Sequence, residues 1–459
     1  MHRGFSRFTT VMAVACFCLT TLAVGQKVAG YQPPQPNRQA AAMVARNMII
    51  PASSVARVED AGKFAHTNFV LHTVDGVTPH VSANPDLTET ETPASMACVY
   101  KMGPIYAGCN PATGGKNHAA GGWGAIAIVD AYDNPYALYE LQTFSTAYGL
   151  PVPTATATSK FKKVYANGNG SCSVPPVDPG WGLEESLDIE WAHAMAPSAQ
   201  IYLVEACSNS DADLDYAEYV AGSLVATKGG GDISNSWGEG EFAGELAEDP
   251  YFHRYYYQNI SYFVSAGDSG CGAQWPSSSP WVVSAGGTTV NRDASGNFAN
   301  EACWAGSGGG SSAYETWSDG FTDSNMGAWA DYQYPIFGKA ARQTPDISFN
   351  ADPASGVVVF DCAYYSGTCY YFRVGGTSVS SPSLAGIVNS SANKLGTACS
   401  RGACYYANEE NNLIYAEYLT AREYTANYYD VTTGSNGCTV GTGWDYCTGV
   451  GSPRGKNGK

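Results

Sequence analysis

Positive charge is scarce in this chain: of 459 residues only 24 are Lys or Arg, against 41 Asp or Glu, for a net charge of -17. A surface so short of cations has little with which to neutralise phosphates, which argues against nucleic acid and anionic membrane as partners. Histidine is scarcer still, with seven positions. His2 precedes an N-terminal apolar run; His66, His72 and His80 lie in a stretch without periodicity; His118 is in a Gly-rich loop, His193 on a helix and His253 in an aromatic-rich loop. None has the short, glycine-flanked helical setting that suits an imidazole base beside a serine. Cys-x-x-Cys spacing is absent, and with it the common zinc and redox motifs. After residue 26 no segment is apolar and long enough to span a bilayer.

What is there begins with an export signal. His2, Arg3 and Arg7 precede an apolar run from Phe8 to Val24, and Ala23-Val24-Gly25 is a suitable cleavage site, so residues 1–26 are a signal peptide and the protein is expected to be secreted. Of 14 cysteines, Cys16 and Cys18 leave with the signal, and the remaining twelve suit an oxidising compartment. Short separations predict local staples for Cys98 and Cys109, Cys362 and Cys369, Cys399 and Cys404, and Cys438 and Cys447. Cys172, Cys207, Cys271 and Cys303 are then left to pair over longer range. Residues 27–95, rich in Pro, Ala and Thr, read as a loosely ordered leader or truncated prosegment.

From Gly124 onward the pattern changes. Ala125–Val129 is a short continuous apolar run of the kind a buried parallel strand needs, and Asp130 closes it. Residues 135–148 read as helix, 183–196 as helix, 200–205 as strand, 214–228 as helix, and 232–236, 261–265 and 281–284 as strands. Strands alternating with helices of this length predict an α/β domain over residues 96–459, with a central mostly parallel sheet covered by helices on both faces.

Three stretches carry chemistry. In Arg373-Val-Gly-Gly-Thr-Ser-Val-Ser-Ser-Pro382, two glycines feed a helix started by Thr377 and Ser378, with Pro382 in or just after its first turn. A serine there has backbone N–H groups and the positive end of the helix dipole beside it, which favours a nucleophilic hydroxyl and a nearby oxyanion. On helix 183–196, Glu184 and Asp188 are four apart and project from one face, so if they are buried one must hold a proton. Glu185 and Glu190 face elsewhere and read as ordinary helix acids. In Val264-Ser-Ala-Gly-Asp-Ser-Gly-Cys271, Asp268 sits at the tip of a turn where a strand ends, the position at which open parallel sheets place functional side chains.

These motifs, with Ser-Asn-Ser-Trp-Gly at 234–238 and Trp275-Pro-Ser-Ser-Ser-Pro-Trp281, resemble the sedolisin family of serine-carboxyl peptidases in both content and order, over roughly residues 96–453. The resemblance implies a subtilisin-like fold and an endopeptidase working at acidic pH. Ser378 would be the nucleophile, Glu184 its general base, Asp188 the group that orients Glu184, and Asp268 a protonated donor to the oxyanion. It implies polypeptide substrates, with Ser234–Gly238 as an edge that pairs with substrate backbone. It also implies one structural Ca2+, held by the Asp430 and Asp445 carboxylates and the carbonyls of Val431, Gly441 and Gly443, an all-oxygen set of the kind calcium prefers. A monomer is expected. Asp130 is a competing orienter for Glu184, and an inactive peptide-binding relative with the same fold is the alternative reading.

Overall fold

The computed structural model describes residues 47–456 apart from 86–88, 157, 254–258, 317–331, 339, 392–398, 401–402 and 405–408. The signal peptide assigned to residues 1–26 lies outside the described residues. In chain order the strands that matter for the site begin with β1 (Met48–Ile49), β2 (His66–Thr67), β3 (Val70–His72) and β4 (Val81–Ser82). The core alternation follows as β5 (Ala125–Ala131), α1 (Ala137–Tyr148), β6 (Phe161–Ala166), α2 (Pro179–Met195), β7 (Gln200–Ala206), α3 (Asp211–Ala226) and β8 (Gly231–Asn235). Then come β9 (Trp237–Gly240), β10 (Ile260–Ser265), β11 (Gln274–Trp275), β12 (Val283–Arg292), β13 (Phe298–Cys303), β14 (Ile347–Asn350), β15 (Val357–Asp361), β16 (Tyr370–Gly375) and α4 (Thr377–Ser390).

The main sheet has eight strands in the order β13-β12-β10-β8-β5-β7-β6, with β14 also paired to β12. Every pairing in it is parallel except β12 with β13. Its central strands are apolar on both sides because both faces are covered. On β5, Ile126 and Ile128 point into a core shared with Leu183, Leu187 and Trp191 of α2 and with Val379, Leu384 and Ile387 of α4. Ala125, Ala127 and Val129 point the other way, against Leu214, Ala217, Ala221 and Val225 of α3. Each such buried Leu or Ile contributes roughly 1.5–3 kcal/mol relative to an exposed one. The α/β architecture with helices on both faces is therefore as the sequence predicts.

Helix α2 begins where Asp178 accepts hydrogen bonds from the N–H groups of Gly180 and Trp181 at 2.9 and 3.0 Å, with Pro179 in the first turn. It is buried on every side from Trp181 to Met195. Glu185 and Glu190 are accordingly not the ordinary helix acids read from sequence. Glu190 accepts from the Phe360 N–H at 3.0 Å, and Glu185 lies against Glu205. The apolar stripe on α2 gave no sign that β15 and α1 would close over its remaining faces.

Two further expectations need correction. The stretch 27–95 is built into the fold from Asn47 onward: β1 pairs with β3, and β3 and β4 both pair with β16, some 300 residues later in the chain. Strands of two or three residues are too short to show a period, so sequence alone left them as a loose leader. Among the cysteines, Cys98–Cys109, Cys362–Cys369 and the longer-range Cys172–Cys207 are bonded. Cys438 and Cys447 are not bonded to each other. They reach back to Cys271 and Cys303, because the C-terminal loop lies across the turn after Asp268 and along β13. The side chains of Cys399 and Cys404 lie outside the described residues; their backbones pair opposite each other in a short antiparallel ladder.

Candidate active site

Ser378 is the second residue of α4. The helix is entered through Gly376, whose φ of 108° is a conformation side chains rarely adopt, and whose Cα faces the site. The Ser378 hydroxyl is fully buried and donates to the Ser236 carbonyl oxygen at 3.2 Å. The Ser236 hydroxyl donates in turn to Asp188 Oδ1 at 2.8 Å and lies 3.3 Å from the Ser378 carbonyl oxygen. Ser236 thus joins the helix carrying the serine to the helix carrying the carboxyls.

Glu184 and Asp188 sit one turn apart on α2 with no exposure. Burial raises the Glu184 carboxyl well above its ordinary range, the negative charges of Asp188 and Asp130 raise it further, and the Ser378 hydroxyl opposes them. Burial likewise raises Asp188, opposed by the hydrogen bond from Ser236 and by the neighbouring Glu184 carboxyl. The pair therefore holds on to protons at pH values where exposed carboxyls are ionised. No hydrogen bond within normal length reaches the Glu184 oxygens, yet Ser378 is near enough to favour the ionised form. This is a loose serine–carboxyl contact of the kind that tightens as the nucleophile turns toward a carbonyl.

Asp268 follows β10 and lies under the start of α4. Its Oδ1 accepts from both the N–H and the hydroxyl of Thr377, each at 2.8 Å, and the Thr377 hydroxyl also accepts from the Gly267 N–H at 3.0 Å. Burial pushes the Asp268 carboxyl up to about 8. With Oδ1 filled by two donors, the acid proton belongs on Oδ2. A β-carbon on Gly376 would lie 2.6 Å from that atom, so Oδ2 faces the mouth of α4.

All four residues singled out from sequence, Ser378, Glu184, Asp188 and Asp268, are thus brought together. Asp130, the competing orienter, ends β5 fully buried with no hydrogen bond to either oxygen, and it acts on the pair through its charge. No histidine is hydrogen-bonded to Ser378, Glu184 or Asp188 among the described residues; His193 is turned to the Pro151 carbonyl and burial lowers it to about 4. Sequence reasoning missed the positioning roles of Ser236 and Thr377. The Ser-Asn-Ser-Trp-Gly stretch was noticed only as an edge, whereas Ser234 and Asn235 belong to the central strand β8, and the edge starts at Trp237 in β9.

The candidate calcium loop is folded around its carboxylates. The Gly443 N–H lies 3.0 and 3.2 Å from the two oxygens of Asp430. Asp445 Oδ1 accepts from the N–H groups of Cys447 and Thr448, each at 2.9 Å, while its Oδ2 is 3.3 Å from the Gly441 N–H. Among the described residues no backbone hydrogen bond uses the carbonyls of Val431, Gly441 or Gly443. Two carboxylates, and three carbonyls that no such hydrogen bond uses, are oxygen donors of the kind a hard cation takes.

No family model matches the chain. It is 28% identical over 341 residues to sedolisin of Pseudomonas sp. (strain 101), covering 69% of this chain and 54% of that protein. It is 30% identical over 367 residues to kumamolisin of Bacillus sp. (strain MN-32), covering 72% of this chain and 58% of that one. The chain therefore spans little more than half the length of these curated relatives. Among solved structures, Pseudomonas sedolisin, a serine-carboxyl proteinase complexed with two molecules of pseudo-iodotyrostatin, matches with a TM-score of 0.59 at 24% identity. That match covers 80% of this chain and 95% of that chain, and shares the fold. With a parallel-sheet core, likeness at 30% identity over 72% of this chain, and a fold shared with Pseudomonas sedolisin, the chain belongs to the sedolisin family and has its subtilisin-like fold.

Proposed function

We propose that this protein is a secreted serine-carboxyl endopeptidase that hydrolyses peptide bonds in proteins at acidic pH. The observation that carries this reading is the convergence of one buried serine with two buried carboxyls and a third partly buried one, with no histidine hydrogen-bonded to the serine or the buried pair among the described residues. Ser378 Oγ attacks the substrate carbonyl carbon while Glu184 takes its proton. Asp188, fixed by the Ser236 hydroxyl, holds Glu184 by sharing a proton with it. The oxyanion that forms is met by the Ser378 N–H and by the protonated Asp268, whose placement ahead of the reaction avoids the cost of reorienting solvent. Glu184 then gives its proton to the leaving nitrogen, and water hydrolyses the resulting ester by the same route.

The requirement for protons sets the pH. Asp268 must keep its proton to donate, and the Glu184–Asp188 pair must keep one of two. The set therefore works in acid and fails as pH rises toward the value of about 8 at which Asp268 ionises. Five disulfides in the described residues fit an exported protein. A Ca2+ held by Asp430, Asp445 and the carbonyls of Val431, Gly441 and Gly443 would brace the C-terminal loop, which two disulfides tie to the Asp268 turn and to β13. Denatured casein incubated with the purified chain from about pH 3 to pH 7 tests the reading. Cleavage confined to acid and lost in Ser378→Ala is expected, while equal cleavage by that variant, or none at any pH, would refute it.

A further inference from the structure

His72 and His80 stand side by side where a tight hairpin begins and ends. β3 stops at His72, the chain turns through 73–79, and the His80 N–H donates to the His72 carbonyl at 2.8 Å, so the two are direct cross-strand neighbours. Their ring centroids are 5.5 Å apart, with the planes inclined at 50°. The turn between them is fixed from within. Thr73 pairs with Pro79, the Val74 N–H donates to the Thr78 carbonyl at 3.1 Å, and Asp75 Oδ1 accepts from the N–H groups of Val77 and Thr78 at 3.0 and 2.6 Å. Both flanks are tied to β16: Leu71 lies opposite Val374, Val81 lies opposite Phe372, and the Arg373 N–H donates to the His80 carbonyl at 3.2 Å. The backbone therefore holds the two imidazoles in place. On each ring Nδ1 is shut off from solvent and has no hydrogen-bond partner among the described residues. A buried polar nitrogen left unpaired costs free energy until something takes it up.

We propose that His72 and His80 form a two-imidazole site for one borderline transition ion, Zn2+, Ni2+ or Cu2+, with water in its remaining positions. Two imidazole nitrogens about 2 Å from a shared tetrahedral ion put their ring centres roughly 5 Å apart, close to the separation observed. Among the described residues no group of three His, Cys, Asp or Glu is gathered for a metal, so the pair acts without a third side chain. The charges around it select a nitrogen-seeking ion. The Arg373 guanidinium is bonded to the Pro353 and Ala354 carbonyls and lies 3.9 Å from Glu89 Oε2. Burial first, and then the Arg373 charge, lower both imidazoles, His72 to about 4; His80 adds to the effect on His72, and Glu89 opposes it on His80. Both rings are then neutral at pH 7 and can lend a lone pair. The same guanidinium disfavours Ca2+ and Mg2+, which bind through charge and oxygen rather than through nitrogen. The bound ion clips together the two ends of a hairpin carried by β16, the strand that runs into Gly376 and Ser378. Acid, by protonating the rings, releases it.

The test uses the purified, untagged chain carrying Ser378→Ala, so that it holds whether or not the chain is a peptidase, with CaCl2 in excess to fill any calcium site. Calorimetric titration with ZnCl2 at pH 7 should show one ion per chain. His72→Gln and His80→Gln, each added to that background, should weaken binding by at least about tenfold, the loss that removing even a supporting partner causes. Zinc affinity unchanged in both variants, or no zinc binding at all, would overturn the site. Cu2+ supplied at one ion per chain gives a readout that needs neither histidine variant. Its electron paramagnetic resonance spectrum at pH 7 should carry hyperfine coupling to two imidazole nitrogens and lose it at about pH 3, where both rings are protonated. A spectrum with fewer than two nitrogens at pH 7, or one that persists unchanged at about pH 3, overturns the proposal.

Discussion

Ser378 Oγ is a weak nucleophile until something takes its proton, and the base beside it is a carboxyl that burial has already made more basic. Glu184 surrounded by Asp188 and Asp130 resists ionisation, and that resistance makes it a better base once it is ionised. Asp268 meets the opposite need, since at about 8 it stays a donor throughout acid and neutral solution. Replacing it with Asn keeps a donor of the same shape but loses the acid proton. Asp268→Asn should lower kcat by about a hundred- to a thousandfold with little change in KM, as steady-state kinetics on a peptide would show. The four principal residues were legible because each sits in a motif whose spacing dictates its position: i,i+4 on a helix, a strand-end turn, and a glycine pair before a helix. Ser236 and Thr377 were not. Whether a hydroxyl caps, bridges or idles depends on which distant element packs over it, and sequence does not say which.

At the scale of elements, the site depends on how closely α2 and α4 lie. Gly386 makes that approach possible, since a β-carbon there would sit 2.6 Å from Met195 Cβ and 3.0 Å from the Ala192 carbonyl. Gly386→Ala should push the helices apart and move Ser378 from Glu184. The expected cost is roughly 1–3 kcal/mol of stability and a drop in kcat of about tenfold or more, read by denaturant melts and peptide kinetics on the same preparation. A second junction is the fully buried Arg342–Asp346 pair at 2.5 Å. Asp346 also accepts from the Ser284 N–H at 2.7 Å and the Tyr415 hydroxyl at 2.8 Å, so it fastens β12 to the helix Glu409–Tyr418. Asp346→Asn should strand a buried guanidinium and cost about 3–5 kcal/mol in urea unfolding. The βαβ core was readable because continuous apolar runs of strand length alternate with helix-length segments. β1 to β4 were not, because strands of two or three residues, paired with partners hundreds of positions away, carry none.

For the whole molecule, the number of buried carboxyls decides how it responds to pH. Besides Asp268, burial pushes Glu140, Glu205, Glu218 and Asp249 up to about 8. Their folded-state values lie above those of the unfolded chain, near 4, so between pH 4 and pH 8 the folded state binds more protons. Stability is then fully present below about pH 4 and is lost as pH rises toward 8. Thermal melts should show Tm falling by on the order of 10 °C or more from pH 4 to pH 7; a Tm that rises over that range would contradict the assignment. Chelating calcium at fixed pH should lower Tm by about 5 °C or more in the wild type and leave Asp430→Asn unchanged.

The most direct test of serine–carboxyl chemistry is the pH dependence of kcat/KM for wild type beside Glu184→Gln. Wild type should peak in acid and decline to little activity by about pH 8, with Glu184→Gln at least about a thousandfold slower at every pH. A Glu184→Gln variant as active as wild type, or a wild-type rate that climbs through neutrality, would contradict a carboxylate acting as the base for Ser378.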